Sequence, residues 1–231
     1  MNNVIEITRL TKIYNSSEVK VKAVNGIDIN FKEGEFTAVV GPSGSGKTTF
    51  LNMLGGLDRP TSGDVKIGGV NIWELSSRKL IDFRMNNIGF VFQSYNLIPV
   101  LTAGENVEFI MQLQGKRKKE REQRTQELLD AVGIGDRVKS RPSKLSGGQQ
   151  QRVAVARALA SKPEFILADE PTANLDSKAT SSLLELMSQI NIKFNTTFIF
   201  ATHDQRVMDK ATRIVTIEDG KILKDEYFER K

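Results

Sequence analysis

One eight-residue string, Gly41-Pro42-Ser43-Gly44-Ser45-Gly46-Lys47-Thr48, narrows the choice of fold more than anything else in this chain. It fits the pattern G-x-x-x-x-G-K-[ST] in full, and Thr49 follows it. Its setting matters as much as its letters. The apolar run Phe36–Val40 leads into it as a strand, and residues 48–54 lead out of it as a helix. Glycines let such a loop curl until successive backbone N–H groups point inward, where a bulkier residue would block the approach. The N-terminus of the following helix adds partial positive charge. The arrangement predicts a cradle for phosphate groups, with Lys47 reaching the β- and γ-phosphates and the Thr48 hydroxyl on Mg²⁺. By itself it does not distinguish a kinase, a GTPase or a motor.

Further short apolar runs occur at Ile88–Phe92, 165–168 and 198–201. Continuous rather than alternating hydrophobicity suits parallel strands covered on both faces. Helical stretches at 120–132, 149–160 and 177–192 fall between or beside them, which predicts a doubly wound α/β core. Two regions depart from that alternation. Residues 4–7 and 24–29 alternate like an antiparallel flap, whereas 94–160 lacks a clear strand and reads as an inserted helical subdomain. The expected organisation is a single domain, 1–231, with 1–93 and 161–231 forming the core and flap and 94–160 the helical part. The mixed-charge run 116–124 reads as the solvated start of a helix.

Composition removes several classes of function. With no Cys, the chain has no disulfide, no thiolate metal site and no Cys nucleophile. A formal charge of +5 suits a surface near anionic lipid but does not mark a nucleic-acid binder. The N-terminus lacks the apolar core of a signal peptide, and no apolar run approaches the roughly 20 residues needed to span a bilayer. The expectation is a soluble, cytoplasmic chain whose membrane role, if any, comes through a partner.

A second anion-directed element follows at Leu145-Ser146-Gly147-Gly148-Gln149-Gln150-Gln151-Arg152, just before a helix of small apolar residues. Ser146 offers a hydroxyl, Gly147 and Gly148 permit close backbone approach, and the helix start presents N–H donors. The apolar strand after it ends in Asp169-Glu170. Asp169 is placed for Mg²⁺, and Glu170, one residue further, for polarising an attacking water.

Phosphate loop, Leu-Ser-Gly-Gly-Gln string and carboxylate pair, in that order, resemble the ABC (ATP-binding cassette) ATPases over essentially the whole chain. The resemblance implies a P-loop NTPase core carrying an antiparallel β subdomain and an inserted helical subdomain, together with ATP hydrolysis and Mg²⁺. It assigns roles to further residues. Gln93, ending an apolar strand, matches the glutamine that contacts Mg²⁺ and water. His203, the chain's only histidine, matches the switch histidine on the γ-phosphate. Asp176, closing Ala173-Asn174-Leu175-Asp176, lies in the loop that runs along a dimer seam. Tyr14 resembles the aromatic that stacks on adenine. Ser146, Gly147 and Gly148 of one copy are expected to close over ATP held by a second copy.

The string from Phe92 to Thr102 with Glu105-Asn106-Val107 is similar to a narrower subgroup, which serves lipoprotein release, macrolide export and cell division. That likeness implies a homodimer beneath a separate membrane permease, on the inner face of the membrane, driving export or mechanotransmission. Within the family the alternative is an ATPase that regulates an extracytoplasmic hydrolase. A soluble ABC protein working on nucleic acid or ribosomes is disfavoured, because such chains carry two cassettes or a long coiled coil. The apolar segment 95–101 is an expected docking surface for the permease.

Overall fold

The structure is a computed structural model, and it describes residues 2–15 and 20–229. In chain order the elements are β1 (Asn3–Tyr14), β2 (Val21–Lys32), β3 (Phe36–Val40), α1 (Lys47–Leu54), β4 (Ser62–Ile67), β5 (Val70–Asn71), α2 (Ser77–Asn87) and β6 (Ile88–Phe92). They continue with α3 (Ala103–Leu113), α4 (Lys118–Ala131), α5 (Gly147–Ala160), β7 (Phe165–Asp169), α6 (Ser177–Phe194), β8 (Thr197–Ala201), α7 (Gln205–Met208), β9 (Arg213–Glu218) and β10 (Lys221–Tyr227). A four-stranded sheet runs β2-β1-β4-β5, and a six-stranded sheet runs β10-β9-β3-β8-β7-β6. The first is antiparallel throughout; the second is parallel except for its β10–β9 edge.

The continuous apolar strands have a direct physical reason. Side chains alternate across a pleated strand, so a strand covered on both faces needs apolar residues at every position. Val39, Leu167 and Ile199 enter one core with the antiparallel sheet and α1. Their neighbours Ala38, Ile166, Phe198 and Phe200 enter another with the helices from α3 to α6. Phe36 and Phe200 stack at 4.6 Å between ring centroids, a tilted pair contributing about 0.5–1.5 kcal/mol beyond area burial.

Helices α3, α4 and α5 all lie between β6 and β7. Helix α3 starts at a capping box, with Thr102 accepting from the Glu105 N–H and Glu105 from the Thr102 N–H. In the 116–124 run, Lys116–Glu120 and Lys118–Glu122 are exposed i,i+4 pairs, while Arg121 bonds Glu108 at 2.6 Å. Surface pairs of this kind solvate a helix more than they stabilise it.

The edge strand β10 is fastened by charge. Arg213 on β9, 3% exposed, donates to Asp225 (2.8 and 2.7 Å), to Glu35 (3.0 Å) and to the Asn30 carbonyl (2.7 Å). Its guanidinium also lies 4.8 Å from the Tyr227 ring centre. Burial opposes its charge, but the Asp225 and Glu35 carboxylates outweigh burial and raise its pKa further. Arg213→Ala would strand Glu35 in the interior, so urea denaturation should show a loss of about 3–5 kcal/mol, the scale for breaking one partner out of a buried pair. A loss below about 1 kcal/mol would mean that the network is dispensable.

Candidate functional site

Strand register gathers the site. Phe92 pairs with Asp169, Asp169 with Ala201, and Ala201 with Val39, so four parallel strands end flush. In open α/β sheets the crevice beyond such strand ends is where ligands bind. The residues that follow these ends are Gln93 (β6), Glu170 (β7), Thr202 and His203 (β8), and the 41–46 loop (β3).

That loop and the start of α1 wall a cleft of about 640 Å³, and Gln93, Glu170, His203, Ala23 and Ala173 complete it. Gly41 and Gly46 are required by close approach. A Cβ on Gly41 would lie 2.0 Å from the Ile217 carbonyl oxygen, and one on Gly46 2.0 Å from that of Ala23. Gly46 is also left-handed, at φ 102°. Helix α1 has no side-chain cap, unlike α3, α5 and α6, so its first N–H groups stay available to a ligand. Lys47 Nζ donates back to the carbonyls of Gly41 (2.8 Å) and Pro42 (2.9 Å).

Thr48 Oγ1 donates to Asp169 Oδ1 at 3.1 Å. Burial pushes the Asp169 carboxyl above its usual range, against the lowering effect of Thr48; Glu170 raises it further and Lys47 lowers it. A partly desolvated carboxylate beside a helix-start hydroxyl is the donor set a divalent cation bound to phosphate oxygens would satisfy.

Glu170 has φ 46°, unusual for a residue with a side chain. Its N–H bonds the Ala201 carbonyl (2.9 Å), and its own carbonyl accepts from Ala173 (3.2 Å), which fixes the turn. Its Oε2 accepts from Thr202 Oγ1 at 3.2 Å, and its Oε1 lies 2.8 Å from His203 Nδ1. A carboxylate there requires the proton on Nδ1, so Nε2 of this exposed ring donates to a phosphate oxygen only when it too carries a proton.

Not every expected residue lines the cleft. Ser45 is buried, 5% exposed, and its N–H bonds the Pro42 carbonyl. Tyr14 lies beside the cleft, and its hydroxyl donates to Asp58. Ser146, Gly147, Gly148 and Asp176 are outside it. Ser146 caps α5 by accepting from the Gln149 N–H at 3.3 Å, and its O–H remains for another acceptor. A Cβ added at Gly147 would meet the Tyr95 hydroxyl at 2.8 Å, and one at Gly148 the Ala179 Cβ at 3.3 Å. Asp176 caps α6 through the Ala179 N–H.

Segment 95–101 is knitted in more than a free docking surface would be. Arg157 donates to the carbonyls of Tyr95 (2.8 Å) and Asn96 (2.5 Å), and Leu97 packs on the helical core. Pro99 and Val100 stay exposed. Two contributors escape a motif-led reading, Ala23, which walls the cleft, and Thr202 on Glu170; a third, Gln151, lies inside the 145–152 string with no role assigned there. Gln151 is fully buried and donates to the Pro171 carbonyl at 2.7 Å, so it braces the residue after Glu170. Its signal is helical phase: it precedes the buried Val155 by one turn.

Comparison with known proteins agrees with this geometry. Residues 24–173 match the family described as ABC transporter. An uncharacterized ABC transporter ATP-binding protein of Thermotoga maritima is 51% identical over 96% of this chain and 94% of its own length. The lipoprotein-releasing system ATP-binding protein LolD of Geobacter metallireducens is 41% identical over 97% of this chain and all of its own. The macrolide export ATP-binding/permease protein MacB of Hyphomonas neptunium is 46% identical over 96% of this chain, which spans 34% of that protein. Among solved structures, an ATP-binding cassette captured as a dimer after hydrolysis, with ADP and Pi bound, superimposes with a TM-score of 0.89. It is 40% identical and covers 98% of this chain and all of its own.

Proposed function

This chain belongs to the ABC transporter family as an ATP-hydrolysing subunit, and from that premise we propose that two copies sandwich two ATP molecules to drive a separate membrane permease of the export or mechanotransmission type. Its place would be the inner face of the membrane. Among the described residues no helix is long and apolar enough to cross one.

The residues divide the chemistry as follows. The N–H groups of the 41–48 loop and the start of α1 receive the phosphates, with Gly41, Pro42, Ser43, Gly44, Ser45 and Gly46 setting the backbone path. Lys47 exchanges its two carbonyl partners for phosphate oxygens, and Thr49 follows in the same turn. Thr48, Asp169 and Gln93 would hold Mg²⁺, which when bound neutralises charge on the β- and γ-phosphates. Glu170 takes a proton from the attacking water, while Thr202 and His203 aim its two oxygens. His203 also contacts the γ-phosphate, and Tyr14 supports adenine. Ser146, Gly147, Gly148 and Asp176 serve the nucleotide held by the partner copy.

The observation that carries the dimer is the position of Ser146. It is an exposed residue at a helix N-terminus, and it is absent from the cleft that contains Lys47. Two such devices serve one nucleotide when a twofold axis brings the Ser146 of one copy over the Lys47 of the other, an isologous interface. Both Ser43 and Ser146 are exposed and the chain has no cysteine, so a disulfide test has no background. With Ser43→Cys, Ser146→Cys and Glu170→Gln combined, ATP should promote a crosslink between two chains. Crosslinks formed solely within one chain would sink the composite site. Cys at 148 is a poorer choice, because a Cβ there meets Ala179 at 3.3 Å.

A further inference from the structure

Tyr14 does not stand alone at the edge of the cleft. Its hydroxyl donates to Asp58 Oδ2 at 2.5 Å, and the Lys12 ammonium lies 5.0 Å from its ring centre. Lys12 also pairs with Asp58 and donates to the Arg59 carbonyl at 2.7 Å. The three side chains therefore close a triangle in which each touches the other two. Lys12 and Asp58 are largely covered, with side chains 14% and 27% exposed, while Tyr14 is 36% exposed.

The triangle is anchored to the helix that starts at the phosphate loop. The N–H groups of Leu57 and Asp58 both bond the Asn52 carbonyl, at 2.8 and 3.2 Å, which ties Asp58 to the last turn of α1. At the other end of the helix, Thr49 lies near enough to the Tyr14 hydroxyl to oppose the rise in its pKa that burial and Asp58 cause. An eight-residue helix is about 12 Å long. Tyr14 is thus tied through Asp58 to the last turn of the element whose first turn faces the phosphates.

We propose that Asp58 and Lys12 are positioning residues for nucleotide binding: they lock the Tyr14 ring so that the platform for the base sits at a fixed distance from the phosphate cradle. The inference rests on the reading of Tyr14 as the support for adenine. The ammonium takes one side of the ring and leaves the exposed side for the base. Fold stability from the part-covered Lys12–Asp58 pair does not explain why the Tyr14 phenol joins it. Orientation does: a free tyrosine would have to lose rotamer freedom when the base binds, whereas this one has already lost it on folding. The Asp58 carboxyl is held below its usual range by Lys12 and Tyr14 against the effect of burial, so it stays charged and keeps accepting the phenol proton.

The test is calorimetric, on the full chain with Mg²⁺, comparing ATP with inorganic tripolyphosphate, which has no base. Tyr14→Ala should weaken ATP by roughly 10-fold or more, the scale of one base–aromatic stack, and leave tripolyphosphate unchanged. Tyr14→Phe keeps the ring but removes the anchor, and Asp58→Ala removes its acceptor. Each should weaken ATP by roughly 3- to 10-fold, as the loss of one hydrogen bond predicts. The double variant should be no weaker than either single one, because both remove the same contact. Asp58→Asn retains an acceptor and should recover most of the loss. If Asp58→Ala does not fold, Tyr14→Phe still decides the matter. Unchanged ATP affinity in Tyr14→Ala would remove the base platform, and the inference with it. A loss in Tyr14→Ala with wild-type affinity in Tyr14→Phe and Asp58→Ala would overturn positioning and leave the platform standing. An equal loss for ATP and tripolyphosphate in Asp58→Ala would overturn it in favour of a merely structural loop.

Discussion

Glu170→Gln is expected to bind ATP as the wild type does and to lose ~10²- to 10⁴-fold in turnover, the range for removing a general base. The substitution is isosteric, and the surroundings accept it. A glutamine carbonyl can still receive the His203 Nδ1–H, and its amide can donate to Thr202 once that hydroxyl rotates to accept. Apart from the buried Thr202 O–H, which gives up its acceptor, the surrounding contacts are kept, so the fold and the 640 Å³ cleft should survive. The amide cannot take a proton from water, and that is the whole difference. On the proposed sandwich, ATP bridging two chains then persists, because only hydrolysis removes the γ-phosphate that both would contact. Single-turnover assays and gel filtration with Mg²⁺ and ATP should give a long-lived dimer with almost no ADP. A variant that turns over normally as a monomer would sink both the base assignment and the sandwich.

Much of this site could be read in the sequence because its chemistry is local. The phosphate loop needs its glycines in one stretch, and the parallel strands need unbroken apolar runs because both faces are covered. Elements whose stabilisation is not local were harder to see. Helix α2 buries no residue fully and packs through the half-buried Leu80 and Phe83, and β10 is exposed at nearly every position, held by Arg213 from the neighbouring strand. Helix α3 did carry a local signal, the Thr102–Glu105 box, outside the helical stretches that periodicity singled out. At the site, Ser45 follows the motif's spacing yet points inward, because a motif gives positions and not directions. The Lys12–Tyr14–Asp58 triangle joins residues more than 40 positions apart, and nothing in their spacing suggests it.

Lys47→Ala is expected to reduce hydrolysis by at least ~10²-fold, the scale for losing one preorganised electrostatic contact to a developing charge. The structure says why the effect belongs to catalysis more than to folding. Lys47 Nζ is held by two backbone carbonyls of its own loop, Gly41 and Pro42. Those oxygens lie at the rim of an open cleft, so without the lysine they can turn to water instead of being stranded. The loop's path is set by other contacts: Gly41 and Gly46 packed on the carbonyls of Ile217 and Ala23, and Ser45 tied through its own carbonyl to the Gly220 N–H. Lys47→Ala should therefore denature within about 1 kcal/mol of the wild type, the net worth of a typical hydrogen bond. Lys47→Arg should fail almost as badly despite keeping the charge, because a planar fork with five donors does not replace a compact ammonium reaching between loop and phosphate. Comparing kcat/KM with urea midpoints for the two variants separates the causes. Turnover near the wild-type rate in either would mean that the phosphate cradle has been assigned to the wrong loop.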